Sequence, residues 1–128
     1  CEVYAPCALG GAINDESLPK LKCAIVAGAA NNQLTASSHG DELRRLGIFY
    51  APDYAINAGG LISVADEVCG YDPERVRRRT LAIRETIMSI AERAKCTGTP
   101  PHRVADELVE RRLEAAALAQ ATPGCAAV

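Results

Sequence analysis

Three short apolar runs, each broken off by proline, glycine or alanine and separated by helix-like stretches, constrain this chain more than any other feature. Glu2-Val3-Tyr4-Ala5 stops at Pro6, which has no N–H to give a sheet ladder. Cys23-Ala24-Ile25-Val26-Ala27 is a continuous run of the kind expected of a strand covered on both faces. Ile48-Phe49-Tyr50 is a third run, ended by Pro52. Between them, residues 13–21 predict a short helix around Asp15, Glu16 and Leu18, and His39 to Leu46 predicts a second, closed by Gly47. Strand, helix, strand, helix, strand with short links reads as a parallel α/β layer.

The second half carries no strand signal. Gly59-Gly60 opens a helix with Leu61, Ile62, Val64, Ala65 and Val68, ended by Gly70. Asp72-Pro73-Glu74 is a strong helix start, with a capping acid, a proline in the first turn and an acid against the positive dipole end. The stripe Val76, Thr80, Ile83, Ile87, Ile90, Ala94 then predicts one buried face of a long helix ending near Gly98. Thr99-Pro100 restarts a last helix with Val104, Leu108 and Leu113 inward, and the alanine-rich residues 115–128 are expected to fray. At 128 residues the chain is long enough for one core and too short for two full domains.

A net charge of −2 gives no electrostatic footprint for nucleic acid. The only basic block, Arg77-Arg78-Arg79, reads as a solvated helix face. No window approaches the roughly 18 uninterrupted apolar residues of a membrane span. There is no leader-like start and no glycosylation sequon, and Cys1 runs directly into an apolar segment, so the chain is expected to be a fragment of a cytoplasmic protein. The six cysteines contain no Cys-x-x-Cys pair, and His39 and His102 do not stand at ligand spacing, so no metal site is expected. The cysteines are read as small buried hydrophobes rather than a disulfide framework.

Ligands of open parallel sheets bind outside the carboxyl ends of the strands, so the residues after each run carry the functional information. The first exit is Ala5-Pro6-Cys7-Ala8-Leu9-Gly10-Gly11. The second is Ala27-Gly28-Ala29-Ala30-Asn31-Asn32-Gln33, and the third runs from Ala51-Pro52-Asp53-Tyr54 through Ile56-Asn57-Ala58 to Gly59-Gly60. Small side chains let a flat ligand lie against the main chain, and asparagine offers both donor and acceptor to a carboxamide or an amino-acid head group. The helix opening at Gly59-Gly60 adds free N–H groups that favour anionic or carbonyl oxygens. Turn and capping roles for Gly-Gly and Asn31-Asn32 remain open at any single exit. Asp53 and His39 are assigned turn and capping roles.

Ala-Pro-Cys-Ala-Leu-Gly (5–10), Gly-Ala-Ala-Asn-Asn-Gln-Leu (28–34), and Tyr-Ala-Pro-Asp-Tyr with Ile-Asn-Ala-Gly-Gly (50–60) resemble the leucine/valine/phenylalanine dehydrogenase family, from Cys1 to about Glu114. The resemblance implies an α/β fold, the second half of a Rossmann-type parallel sheet followed by long C-terminal helices. Residues 1–58 would be part of an NAD-binding domain, residues 59–114 the helices completing it, and 115–128 a frayed tail. It implies oxidative deamination of an L-amino acid to a 2-oxo acid and ammonia, with NAD as cofactor and a homo-oligomeric full-length protein. It would set Cys7, Ala8, Ala30, Asn31 and Asn57 beside the cofactor, Asn32 at the substrate head group, and Leu61 and Val64 in the side-chain pocket. An aliphatic lining favours leucine or valine and disfavours glutamate, because burying an unpaired charge costs several kcal/mol.

No G-x-G-x-x-G phosphate loop is present, and the family's catalytic lysine and aspartate belong to an N-terminal domain, so no catalytic residue is assigned here and the isolated chain is expected to be inactive. Lys20, Lys22 and Lys95 are read as surface lysines. Cys7, with no histidine motif beside it, is read as packing rather than nucleophilic. A phenylalanine-preferring or broad-specificity relative is the nearest alternative. A non-catalytic α/β interaction module is the alternative of a different class.

Overall fold

The computed structural model describes residues 1–68 and 70–121. Three two-residue strands, β1 (Val3–Tyr4), β2 (Ile25–Val26) and β3 (Phe49–Tyr50), form one parallel sheet in the order β1-β2-β3. Val3, Ile25 and Phe49 stand in register, as do Tyr4, Val26 and Tyr50. Strand side chains alternate between faces, so the second trio shares one side. Val26 and Tyr50 there close a core with Ile13, Leu18, Leu43 and Ile48, against which Tyr4 packs. On the other side Val3 and Ile25 remain exposed, which corrects the expectation that the β2 run is covered on both faces. Long helices follow the sheet, as the sequence predicts.

The link from β1 to β2 is not the expected helix. Ile13 bridges Leu34 in parallel, and only a single 3₁₀ turn, Leu18–Lys20, forms. Asn14 explains it: its carboxamide oxygen accepts from Glu16 N–H and Ser17 N–H, while Ser17 Oγ donates to the Ala12 carbonyl. Such side-chain bonds offer the backbone an alternative to the helical ladder. Helix α1 spans Ser37–Arg45, starting two residues before the expected His39. The His39 ring accepts from Ala36 N–H at 3.1 Å, a capping role, and Gly47 closes the helix at φ 74°.

After β3 comes a four-residue helix, α2 (Asp53–Ile56), too short for any periodicity to announce. Helix α3 (Gly59–Val68) then packs on α4 (Pro73–Thr97), whose first turn is capped by the Asp72 carboxylate accepting from Glu74 and Arg75 N–H. The α3–α4 corner is riveted by buried Asp66, which pairs with Arg75 at 2.6 and 2.9 Å and accepts from Asp72 N–H. That guanidinium holds the Asp66 carboxyl below its ordinary range. Helix α4 ends at Gly98 in the left-handed region, and α5 (Pro101–Ala121) turns back against it.

A second core of Ile90, Ala94, Val104 and Ala105 seals that turn. The predicted α4 stripe is therefore buried at Ile90 and Ala94, whereas Thr80 is exposed. Leu113, expected inward, is 66% exposed, because α5 continues beyond the residues that Val104, Ala105 and Leu108 pack against. Residues 115–121 continue helix α5, and residues 122–128 of the tail expected to fray lie outside the described residues. Cys1, Cys7 and Cys96 are exposed thiols, against the expectation that they are buried, whereas half-buried Cys23 packs against the core; Cys69 and Cys125 lie outside the described residues. No helix among the described residues is long and apolar enough to cross a membrane.

Candidate functional site

The three strand exits meet at one end of the sheet, and their backbones touch. Gly28 makes the first approach possible: a Cβ there would stand 2.1 Å from the Pro6 carbonyl oxygen. Ala30 N–H donates to that same oxygen at 3.0 Å, and Ala29 N–H reaches Cys7 Sγ at 3.5 Å. Gly10 passes the second exit as closely, since a Cβ on it would lie 2.9 Å from the Asn31 carbonyl oxygen. Neither approach leaves room for a side chain, which is the physical reason for glycine at both positions.

Within the second exit, Gln33 acts as an internal strut. Its side chain is fully buried, and its Nε2 donates to the carbonyls of Gly28 and Ala30 at 2.8 and 2.9 Å. Asn31 and Asn32 are thereby held at the tip of a tied turn, both exposed, with Asn32 at φ 50°. Asparagine tolerates this left-handed geometry better than other non-glycine residues.

The third exit closes on the second through two side chains. Asn57 Nδ2 donates to Asn31 Oδ1, joining the two amides at the rim. Behind them, the buried Asp53 carboxylate accepts from Gln33 N–H at 2.7 Å and from Tyr54 N–H at 2.7 Å. Asp53 N–H itself donates to the Tyr50 hydroxyl. Burial raises the Tyr50 and Tyr54 phenols far above their ordinary range, so both stay protonated. Tyr54 Oη donates its single proton to Asp106 at 2.6 Å, with the His102 carbonyl sharing it at 3.0 Å, stapling α5 to the third exit.

Of the residues singled out in the sequence, Asn31 and Asn57 come into direct contact, and Cys7 and Ala30 join the first and second exits. Ala8 and Asn32 are exposed beside them, while Ala30 is 5% exposed, so it forms the floor of its turn rather than open surface. Leu61 and Val64 stand apart on α3, three residues and roughly one turn apart, 72% and 60% exposed. Gln33 carries more of the geometry than the sequence reading assigned it. The signal available was an amide closing a run of very small residues, which have no side chains of their own to brace the turn.

A parallel sheet followed by helices, with its exits relieved by glycine and edged with amides, has the form of a Rossmann-type layer. Residues 1–119 match the Glutamate/Leucine/Phenylalanine/Valine dehydrogenase family, and the chain belongs to it. It is 50% identical over 113 residues to a leucine dehydrogenase of Bacillus cereus, covering 88% of this chain and 31% of that protein. A valine dehydrogenase of Streptomyces albus is 49% identical over 112 residues, with 88% and 31% covered. The crystal structure of L-tryptophan dehydrogenase from Nostoc punctiforme superposes with a TM-score of 0.85 at 45% identity, covering 88% of this chain and 35% of that one. The chain spans about a third of the length of these relatives.

Proposed function

We propose that this chain supplies the nicotinamide-facing half of the cofactor domain in an NAD-dependent L-amino-acid dehydrogenase, which reversibly deaminates leucine or valine to the 2-oxo acid and ammonia. The observation that carries this reading is the bridged amide pair, Asn31 to Asn57, at the mouth of three exits cleared by Gly10 and Gly28. A carboxamide-bearing ring needs a flat, small-residue wall and amide partners at its edge, and both are present. Cys7 and Ala8 from the first exit, Ala30 beneath the turn, and Asn31 and Asn57 at the rim would hold that ring. The cofactor supplies a hydride acceptor for the substrate α-carbon.

The chain's own residues would do the rest of the work on this side. Asn32 would direct its amide to the amino-acid head group. Leu61 and Val64 would cover the aliphatic side chain and exclude water from it. Two aliphatic side chains offer a carboxylate no partner, so glutamate would lose its solvation there without compensation. The proton-transferring lysine and aspartate, and the grip on the cofactor phosphates, would come from the N-terminal part of a complete, homo-oligomeric cytoplasmic enzyme. A second reading, an enzyme preferring an aromatic side chain, draws support from the likeness to the tryptophan dehydrogenase.

Initial rates of NAD reduction by a complete protein carrying this chain test the proposal. Leucine or valine should exceed glutamate in kcat/KM by about 100-fold or more, a difference of roughly 3 kcal/mol in transition-state binding. The isolated chain should reduce no NAD with any of them. Preference for glutamate, or turnover by the chain alone, would overturn the assignment.

A further inference from the structure

The peptide unit between Asn32 and Gln33 is gripped at both ends. Its carbonyl accepts from Gly11 N–H at 2.7 Å, and its N–H donates to Asp53 Oδ2, also at 2.7 Å. The three strand exits therefore converge on a single peptide plane, with Gly11 from the first, Asp53 from the third, and the plane itself in the second. That plane follows the one residue among those described, glycine aside, with a positive φ, Asn32 at 50°.

A residue in this region sits in a narrow well, and the peptide beyond it can turn over unless both of its polar ends are engaged. Turning it would exchange the directions of the carbonyl and the N–H and would take Asn32 out of the left-handed well on which its side-chain rotamer depends. The Gly11 bond alone opposes this with a neutral donor. The Asp53 bond opposes it with a carboxylate that is 8% exposed, where a charge-assisted hydrogen bond is about twice as strong as a neutral one. Asp53 also holds the other amide of the site, since its carbonyl accepts from Asn57 N–H at 2.9 Å.

The geometry points to Asp53 as the positioning residue of the site: we infer that its carboxylate, through the Gln33 N–H, fixes the left-handed backbone that aims the Asn32 amide at the substrate head group. This rests on the substrate role given to Asn32 above. The Asp53 carboxylate is buried and taken up by the Gln33 and Tyr54 N–H groups, so its effect on the substrate would pass through Asn32.

Asp53→Asn is the discriminating change, because two N–H donors, from Gln33 and Tyr54, would then compete for one acceptor oxygen while an NH₂ faces the other. Amide hydrogen exchange should show Gln33 losing protection while the ladder amides of Ala27 and Ala51 keep theirs. In a complete enzyme carrying this chain, kcat/KM for the amino acid should fall by about 100-fold, the scale of a misplaced reacting group, with the cofactor KM within about 3-fold of the parent.

The cycle with Asn32→Ala decides the route. In the Asn32→Ala background, Asp53→Asn should cost less than about 3-fold, because the group it positions is already gone. Additive losses would overturn the positioning role, as would a Gln33 amide that stays protected in Asp53→Asn. If Asn32→Ala alone leaves turnover intact, the substrate role of Asn32 falls first, and this inference falls with it. Should Asp53→Asn lose the Ala27 and Ala51 protection too, Asp53→Ser, which keeps an oxygen acceptor, carries the same cycle.

Discussion

Replacing Asn32 with alanine in the complete enzyme should lower kcat/KM for the amino acid by about 100- to 1000-fold, the usual loss when one oriented hydrogen-bonding group is removed from a reacting centre. Folding should suffer far less, and by a calculable route. Asn32 is exposed and adopts φ 50°, so alanine there brings a left-handed backbone cost of about 1–2 kcal/mol and loses no packing. Glycine separates the two effects, since Asn32→Gly removes the same amide with no steric penalty at positive φ. Both variants should be equally poor catalysts, while only the alanine variant melts early. Equal activity of parent and variants would remove Asn32 from the substrate site. Activity that follows stability across the two variants would make its role structural.

Gly28→Ala should be the most damaging single methyl group in the sheet. The added carbon would stand 2.1 Å from the Pro6 carbonyl oxygen and 2.6 Å from two further Pro6 backbone atoms. Backbone cannot rotate aside as a long side chain can, so β1 and β2 would have to part at their carboxyl ends. The Ala30–Pro6 hydrogen bond and the Gln33 strut lie directly in the path of that displacement. Overpacking of this severity costs about 3 kcal/mol or more, equivalent to a drop of about 10 °C in Tm for a domain of this size. Gly60→Ala is the control. Nothing lies within 4 Å of its added Cβ, and the residue is helical, so stability should hold or rise by a few tenths of a kcal/mol. Calorimetry on both variants distinguishes steric closure from a general intolerance of change in this region.

How much of this was legible in the sequence follows from the range of the forces involved. The strands, their parallel arrangement and the helix starts at Gly59 and Asp72 follow from apolar runs, short helix-bearing links, capping acids and glycine, and they read correctly. The stretch 13–21 did not, because Asn14 and Ser17 satisfy the backbone themselves and Pro19 sits where a helix would need a donor. Leu113 was misplaced because a stripe records which face of α5 is apolar and not how far along that face the packing reaches, which here stops at Leu108.

In the site, the asparagines and small residues stood out as chemical types. The convergence of Gly11, Gln33 and Asp53 on one peptide did not, since it joins residues about 20 positions apart in sequence. Asp53 looked like a turn residue, and one of its oxygens does accept from the adjacent Tyr54 N–H; the other reaches the second exit at Gln33.

The central claim is that these strand exits receive the nicotinamide and the amino-acid head group. It is tested most directly by a crystal structure of the complete protein with NADH and the 2-oxo acid of leucine bound. The ring should lie against Cys7, Ala8 and Asn31. The Asn32 amide should stand about 3 Å from the substrate head group, with Leu61 and Val64 against its side chain. A substrate seated away from Asn32, or a nicotinamide ring away from the Asn31–Asn57 pair, would contradict the account.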